Sequence, residues 1–158
     1  MKVLVIIPAY NEELNIARVV NNLIQNFPQY DYVVVNDGSK DRTADLCRRE
    51  NYNLIDLPIN LGLTGAVQAG IRYAVKHDYD AAVQYDGDGQ HRAEHIADLI
   101  GILEKENADI VIGSRYVNEK KPHTLRMLGS NLISLIIKVS TGQTITDPTS
   151  GMRLFNKN

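Results

Sequence analysis

A single cysteine, Cys47, occurs among 158 residues. It cannot form an intrachain disulfide and cannot anchor a Cys/His metal cluster. On that count the chain belongs in a reducing compartment, and Cys47, within "TADLCRRE", reads as a small, half-buried helix residue. Long hydrophobic runs are missing too. No segment reaches the ~20 apolar residues of a membrane span. The nearest, Leu125 to Gly142, is interrupted by Arg126, Asn131 and Lys138 and looks amphipathic. The apolar run in "MKVLVIIPAYNEE" is too short for a signal-peptide core, is followed by no small-x-small cleavage site, and reads as a buried strand. An excess of positive charge is also absent. Lys and Arg total 17 against 19 Asp and Glu, a net charge of −2, which argues against a nucleic-acid partner held by phosphate neutralisation. With no repeat, low-complexity stretch or linker, residues 1–158 are expected to form one domain. The 44% hydrophobic and 23% charged composition is that of an ordinary globular chain.

What is present is an alternation of short Val/Ile-rich runs with longer helical ones. The expected strands are Val3–Ile7, Tyr32–Val35, Asn53–Leu57, Ala81–Tyr85 and Ile110–Gly113. They show little polar alternation, as parallel strands buried on both faces do. The first expected helix carries Ile16, Val19, Val20 and Leu23 at helical spacing, with Asn11 as N-cap and Glu12 and Glu13 at the positive end of its dipole. The second spans Thr43 to Arg49. The third runs from Leu63 to about His77, with Leu63, Val67, Gly70 and Ala74 on one stripe. The fourth, about Arg92 to Glu106, places Ile96, Leu99 and Leu103 on one face. This order predicts an open α/β sheet with right-handed crossovers. Ligands bind such sheets at the carboxyl ends of the strands. There the sequence collects "PAYNEE", "NDGSKD", "PINLGLTG", "DGDGQ" and "SRYVNEKK".

In "YDGDGQ", Asp86 and Asp88 are two residues apart on an extended segment and can converge on one side. Two unit charges ~5 Å apart repel by roughly 3 kcal/mol at an effective dielectric near 20, so the pair calls for a counter-charge. Carboxylates are hard ligands and suit Mg2+ or Mn2+, particularly where a diphosphate supplies further oxygens. A solvated Asp-Gly turn is the ordinary alternative. An EF-hand is excluded, because Gln90 and His91 stand where a ligand and the invariant glycine belong. A phosphoaspartyl phosphatase fits poorly, since the motif follows the fourth strand and not the first.

Asp37, ending "VVVNDG", suits the N–H of a nucleobase or ribose hydroxyls. Equally, residues 36–39 can be a turn into a helix capped by Asp41. The glycines Gly62, Gly65 and Gly70 match neither the dinucleotide fingerprint nor a P-loop, but a helix N-terminus here can face a diphosphate. Arg115 follows a strand, where a fixed guanidinium suits phosphate. His91, His95 and His123 are not spaced as a metal set, and His77 reads as structural.

Together "VIIPAYNEE", "VVVNDGSKDRT", "NLGLTGAVQAG", "YDGDGQH", "VIGSRY" and "TDPTSGMRLF" resemble the family 2 inverting glycosyltransferases of the GT-A fold, closest to the dolichyl- or polyprenyl-phosphate sugar synthases. The resemblance runs from Met1 to Phe155. It implies an α/β domain with a mostly parallel central sheet flanked by helices. Pro8, Ala9, Tyr10 and Glu12 would line the nucleotide pocket, with Gly65 beside it, and Asp37 would bind the base. Asp86 and Asp88, with Gln90, would hold the metal and the sugar-nucleotide diphosphate. Arg115 and Arg126 would lie near the phosphates or the acceptor, and Asp147, Ser150 and Arg153 on the acceptor side. The implied reaction is direct displacement at the anomeric carbon with inversion, from a UDP- or GDP-sugar. A lipid phosphate acceptor is already ionised near pH 7 and needs no base, whereas a saccharide hydroxyl would need one, for which Asp147 is the candidate. The amphipathic stretch around Leu128 to Val139 favours a lipid acceptor and a place at the cytoplasmic face of a membrane. A core or homodimer-interface helix is the other reading of it. The chain stops at "MRLFNKN", short of the helix and strand elements with which such catalytic domains usually continue.

Overall fold

The computed structural model describes residues 1–86, 93–113, 138–140, 142 and 151–157. Six strands form one sheet: β1 (Val3–Ala9), β2 (Asp31–Asp37), β3 (Leu54–Leu57), β4 (Ala81–Gln84), β5 (Ile110–Ile112) and β6 (Arg153–Asn156). Among the described residues, helices α1 (Ile16–Asn26), α2 (Thr43–Arg49), α3 (Gly62–Lys76) and α4 (His95–Glu106) connect β1 through β5. The sheet order is β3-β2-β1-β4-β6-β5.

The unbroken apolar run of β1 is explained by its central place. It pairs in parallel with β2 on one side and β4 on the other. Its alternate side chains enter two cores. Val3, Val5, Ile7 and Ala9 pack with Ile16, Val19, Val20 and Leu23 of α1, Cys47 of α2, and Ile96, Leu99 and Leu103 of α4. Leu4 and Ile6 face the other way, with Val33, Val35, Ala82 and the small residues Ala66 and Ala74 of α3.

All five expected strands are present, with ends shifted by one or more residues. The sixth was not expected. β6 enters between β4 and β5 and is antiparallel to both. Its four residues carry too little alternation to register as a strand, and its place depends on pairing with partners far away in the chain. Helix α1 starts at Ile16, and its N-cap, Asn15, makes no side-chain capping bond. Asn11 is therefore not the cap: it lies in the left-handed region at φ 58°, and Glu12 and Glu13 precede the helix. In α3, Leu63 is 56% exposed, and Ala66 takes its expected place in the core. Val67, Gly70 and Ala74 of the expected stripe are buried. Arg92, the expected start of α4, lies outside the described residues. Cys47 is fully buried. Burial pushes its thiol up to about 11, with Arg48 opposing and Asp56 adding to the rise, so it is an inert core residue at neutral pH. His77 closes α3 and stacks on Tyr73, ring centroids 4.1 Å apart. Among the described residues no helix is long and apolar enough to cross a membrane. Residues 138–140, at the end of the amphipathic stretch, form a helical turn in which Val139 is 80% exposed.

Gly70 is the contact point between α3 and β1. A Cβ built there would lie 2.4 Å from Ile6 Cγ2, and Ile6 has no space to yield because it is fully buried. Gly70→Ala gains about 1 kcal/mol of helix propensity, whereas overpacking costs typically 1–3 kcal/mol. The expected result is a net loss of about 1 kcal/mol by urea denaturation, and a more stable variant would disprove this packing.

Candidate active site

The strand order places a topological switch point between β1 and β4. The chain runs from β1 outward through β2 and β3, then returns to add β4 on the opposite side. The carboxyl ends of β1 and β4 are therefore the place where open α/β sheets bind ligands. Ile6 is in register with Gln84, and Tyr85 N–H donates to Ile6 O at 2.9 Å. One further step carries Asp86 to the level of Pro8. Gln84 is buried, and its Nε2 donates to Asp86 Oδ1 at 3.3 Å, so a neutral amide orients the first acid of the motif.

Other expected site residues are described as well. Tyr10 is 43% exposed and follows β1 directly. Ala9 is a different case: its side chain belongs to the core, so only its backbone can meet a ligand. Arg153 is in register with Gln84 across the antiparallel β4–β6 ladder. Because β6 runs backwards, its first residue lies at the carboxyl edge of the parallel strands. Gly65 is in the first turn of α3, and a Cβ there would lie 2.4 Å from Leu61 Cβ. Glu12 is half-buried, its carboxylate accepting from Asn15 Nδ2 at 2.8 Å.

Asp37, the last residue of β2, is almost fully buried. Its Oδ1 accepts the Leu61 N–H at 2.7 Å. It therefore ties the β3–α3 loop to the end of β2, whatever else it binds. Gly38 makes the same junction possible. It has φ +65°, and a Cβ there would lie 2.7 Å from both Asn60 N and the Ile59 carbonyl carbon. On the opposite face of β2, Asn36 is buried and donates through Nδ2 to Asp56 Oδ1 at 2.6 Å. Asp56 is also paired with Arg48 of α2. Asn36 Oδ1 has no partner among the described residues.

The N-cap of α2 is Arg42, with no side-chain capping bond, so the expected cap, Asp41, precedes the helix. Its Oδ1 accepts from Thr43 N–H at 2.9 Å and from the Thr43 hydroxyl at 2.5 Å. Its Oδ2 accepts the Glu13 N–H at 3.1 Å from the neighbouring loop. Partial burial works to raise the carboxyl's pKa, but the hydrogen bonds from Thr43, Glu13 and its own backbone outweigh this and hold it below 3.8. The reach of Asp41 to Glu13, and the hold of Gln84 on Asp86, become visible only in the fold.

Asp88, Gln90, Arg115, Arg126, Asp147 and Ser150 lie outside the described residues. Among the described residues no group of three His, Cys, Asp or Glu side chains could hold a metal ion; of the three residues expected to hold one, only Asp86 is described.

A model of glycosyl transferase family 2 matches residues 4–158. The chain is 34% identical, over 172 residues, to a UDP-N-acetylglucosamine–dolichyl-phosphate N-acetylglucosaminyltransferase of Methanococcus voltae, covering 96% of this chain and 68% of that one. It is 34% identical over 163 residues to an undecaprenyl-phosphate mannosyltransferase of Micrococcus luteus, covering 98% and 66%. Among solved structures it matches glucosyl-3-phosphoglycerate synthase from Mycobacterium tuberculosis, in complex with Mn2+ and UDP-glucose. The TM-score is 0.76 at 18% identity, covering 98% of this chain and 56% of that one. At that identity the likeness concerns the fold, which is the GT-A arrangement that the motifs imply. The chain spans about two thirds of these curated relatives and just over half of the solved one.

Two outcomes follow from the geometry. Gly38→Ala places a side chain at positive φ, which costs roughly 1–2 kcal/mol, and drives it into immovable backbone. It should lose at least about 2 kcal/mol in urea denaturation; wild-type stability would show that the loop is not held there. Asp41 has a folded-state pKa below its ordinary value, so its contribution is complete above pH ~4 and disappears as pH falls through the folded value. Between pH 5 and pH 2 the wild type should therefore lose more stability than Asp41→Asn. Equal losses in parallel denaturation series would contradict the bonding described.

Proposed function

The chain belongs to glycosyl transferase family 2, and we propose that it is the donor-binding part of an inverting transferase that moves a sugar from a UDP- or GDP-sugar to a polyprenyl or dolichyl phosphate. The observation that carries the reading is the meeting of Asp86 with the end of β1 at the switch point of the sheet, in a chain whose relatives are named for transfer to dolichyl and undecaprenyl phosphate.

In this reading the nucleoside lies along Pro8–Tyr10 and Glu12. Tyr10 supplies an exposed ring, and Asp37 Oδ2 accepts an N–H of the base while Oδ1 stays on Leu61. Gly65 lies in the first turn of α3, where Leu61 occupies the space a Cβ would take and Asn60 Oδ1 takes the Gly62 N–H at 3.0 Å, so the other N–H groups of that turn are what the helix offers the diphosphate. Asp86 and Asp88, with the Gln90 amide oxygen, form a hard-oxygen donor set that suits Mg2+ or Mn2+. The Gln84 amide holds Asp86 without adding charge. The chemistry that such an ion supplies when bound is neutralisation of the departing nucleoside diphosphate.

Arg115, Arg126 and Arg153 bring positive charge to the acceptor phosphate, whose oxygen attacks the anomeric carbon from the face opposite the leaving group. An ionised phosphate needs no base, so positioning and charge stabilisation carry the step. Asp147 and Ser150 then act as acceptor-orienting groups. The acceptor's lipid tail places the reaction at the cytoplasmic face of a membrane.

Titration calorimetry with UDP and GDP, each with and without Mn2+, tests the donor site. One nucleotide should bind at least about tenfold more tightly with the metal, a difference of 1.4 kcal/mol. Asp86→Ala and Asp88→Ala should each remove that enhancement. Metal-independent binding that survives both substitutions would defeat the assignment. Transfer of radiolabelled sugar to polyprenyl phosphate by the full-length protein tests the acceptor.

A further inference from the structure

The β1–α1 and β2–α2 loops are sewn together by hydrogen bonds that the proposed nucleotide contacts do not use. Three consecutive N–H groups after Tyr10 each end on a side-chain oxygen of the second loop. Asn11 N–H donates to Ser39 Oγ at 2.9 Å, Glu12 N–H to Thr43 Oγ1 at 2.9 Å, and Glu13 N–H to Asp41 Oδ2 at 3.1 Å. The stitching is reciprocal. Lys40 N–H donates to Asn11 Oδ1 at 2.9 Å, and Arg42 N–H to Glu13 Oε2 at 3.0 Å. Asn11 holds the left-handed conformation that this clasp requires, one that asparagine tolerates better than most residues.

Two consequences follow. Three successive N–H groups make a cradle for an anion, but here the protein's own oxygens fill it, so these amides are not phosphate ligands. The clasp also fixes the direction in which the chain leaves β1, and hence the position of Tyr10 relative to Asp37 on the adjacent strand. Thr43 is the hub. It is fully buried, accepts from Glu12 and donates to Asp41.

We propose that Thr43 and Asp41 are positioning residues of the donor site, which set the nucleotide pocket by locking residues 11–13 onto residues 39–43 and touch no ligand themselves. This rests on the transferase reading above. It accounts for the alternation of acid and hydroxyl in "SKDRT": Ser39, Asp41 and Thr43 are the three acceptors, spaced by two.

Thr43→Val keeps the side-chain shape and deletes the hydroxyl, Thr43→Ser keeps the hydroxyl, and Asp41→Asn turns an acceptor toward a donor. Leu103→Ala, in the core on α4, serves as a destabilised control. Calorimetric affinity for UDP or GDP with Mn2+ should fall about tenfold in Thr43→Val and Asp41→Asn, the scale of one or two lost hydrogen bonds. Thr43→Ser should return to within about twofold of wild type, and Leu103→Ala should be unchanged in affinity at a temperature where all variants are folded. Amide hydrogen exchange at Asn11, Glu12 and Glu13 should quicken in Thr43→Val and Asp41→Asn and in neither of the others. Wild-type affinity in Thr43→Val with quickened exchange would overturn the proposal while leaving the transferase reading intact. So would an equal loss in Leu103→Ala. A wild-type chain that binds neither nucleotide would overturn the transferase reading and this proposal together.

Discussion

Burial of β1 on both faces and both edges is the constraint from which the rest of the molecule follows. Residues Val3 to Ile7 are at most 3% exposed, with β2 and β4 bonded along the two sides and a helical layer over each face. A strand enclosed in this way can meet a ligand only at its end. Its carboxyl end is also where the sheet changes direction of growth, so residues at or just past the ends of β1, β2 and β4 are brought to one edge.

The site edge is held by backbone amides satisfied by short polar side chains, not by apolar packing. Asp37 takes the amide of Leu61, and Ser39, Thr43 and Asp41 take those of residues 11–13. Loops that leave parallel strands carry amides with no ladder partner, and a buried amide without a partner is costly. Each loop here uses its neighbour to meet that requirement. The loops after β1, β2 and β3 are consequently tied to one another before any ligand arrives, which reduces the ordering that binding must impose there.

Much of this could be read from composition and spacing. The Val/Ile density of β1 and β2 marks strands with no wet face, and the 3.6-residue period of Ile16, Val19, Val20 and Leu23 marks the buried stripe of α1. The order of polar segments after successive strands locates the site edge. The misreadings are equally physical. Asn11 precedes acidic residues as a helix cap does, yet its amide and side chain find better partners across a loop gap of 28 and 29 residues. Leu63 has the hydrophobicity of a core residue, but it sits in the first turn of α3 and is exposed, and Ala66, Val67, Gly70 and Ala74 make the contact. β6 is four residues long, and only its pairing with β4 and β5 makes it a strand.

The sequence by itself determined the local choices, namely where the chain is helical or extended, which stripes are apolar, and which acids and glycines follow each strand. These depend on neighbours within a few residues, and their signals repeat at periods that the sequence displays. Only the tertiary structure decided which side chains serve one another. Asp41 reaches Glu13, Gln84 orients Asp86, and Arg153 arrives at the site on a reversed strand. Such partnerships join residues brought together by sheet order, and sheet order is set by the packing of the whole chain.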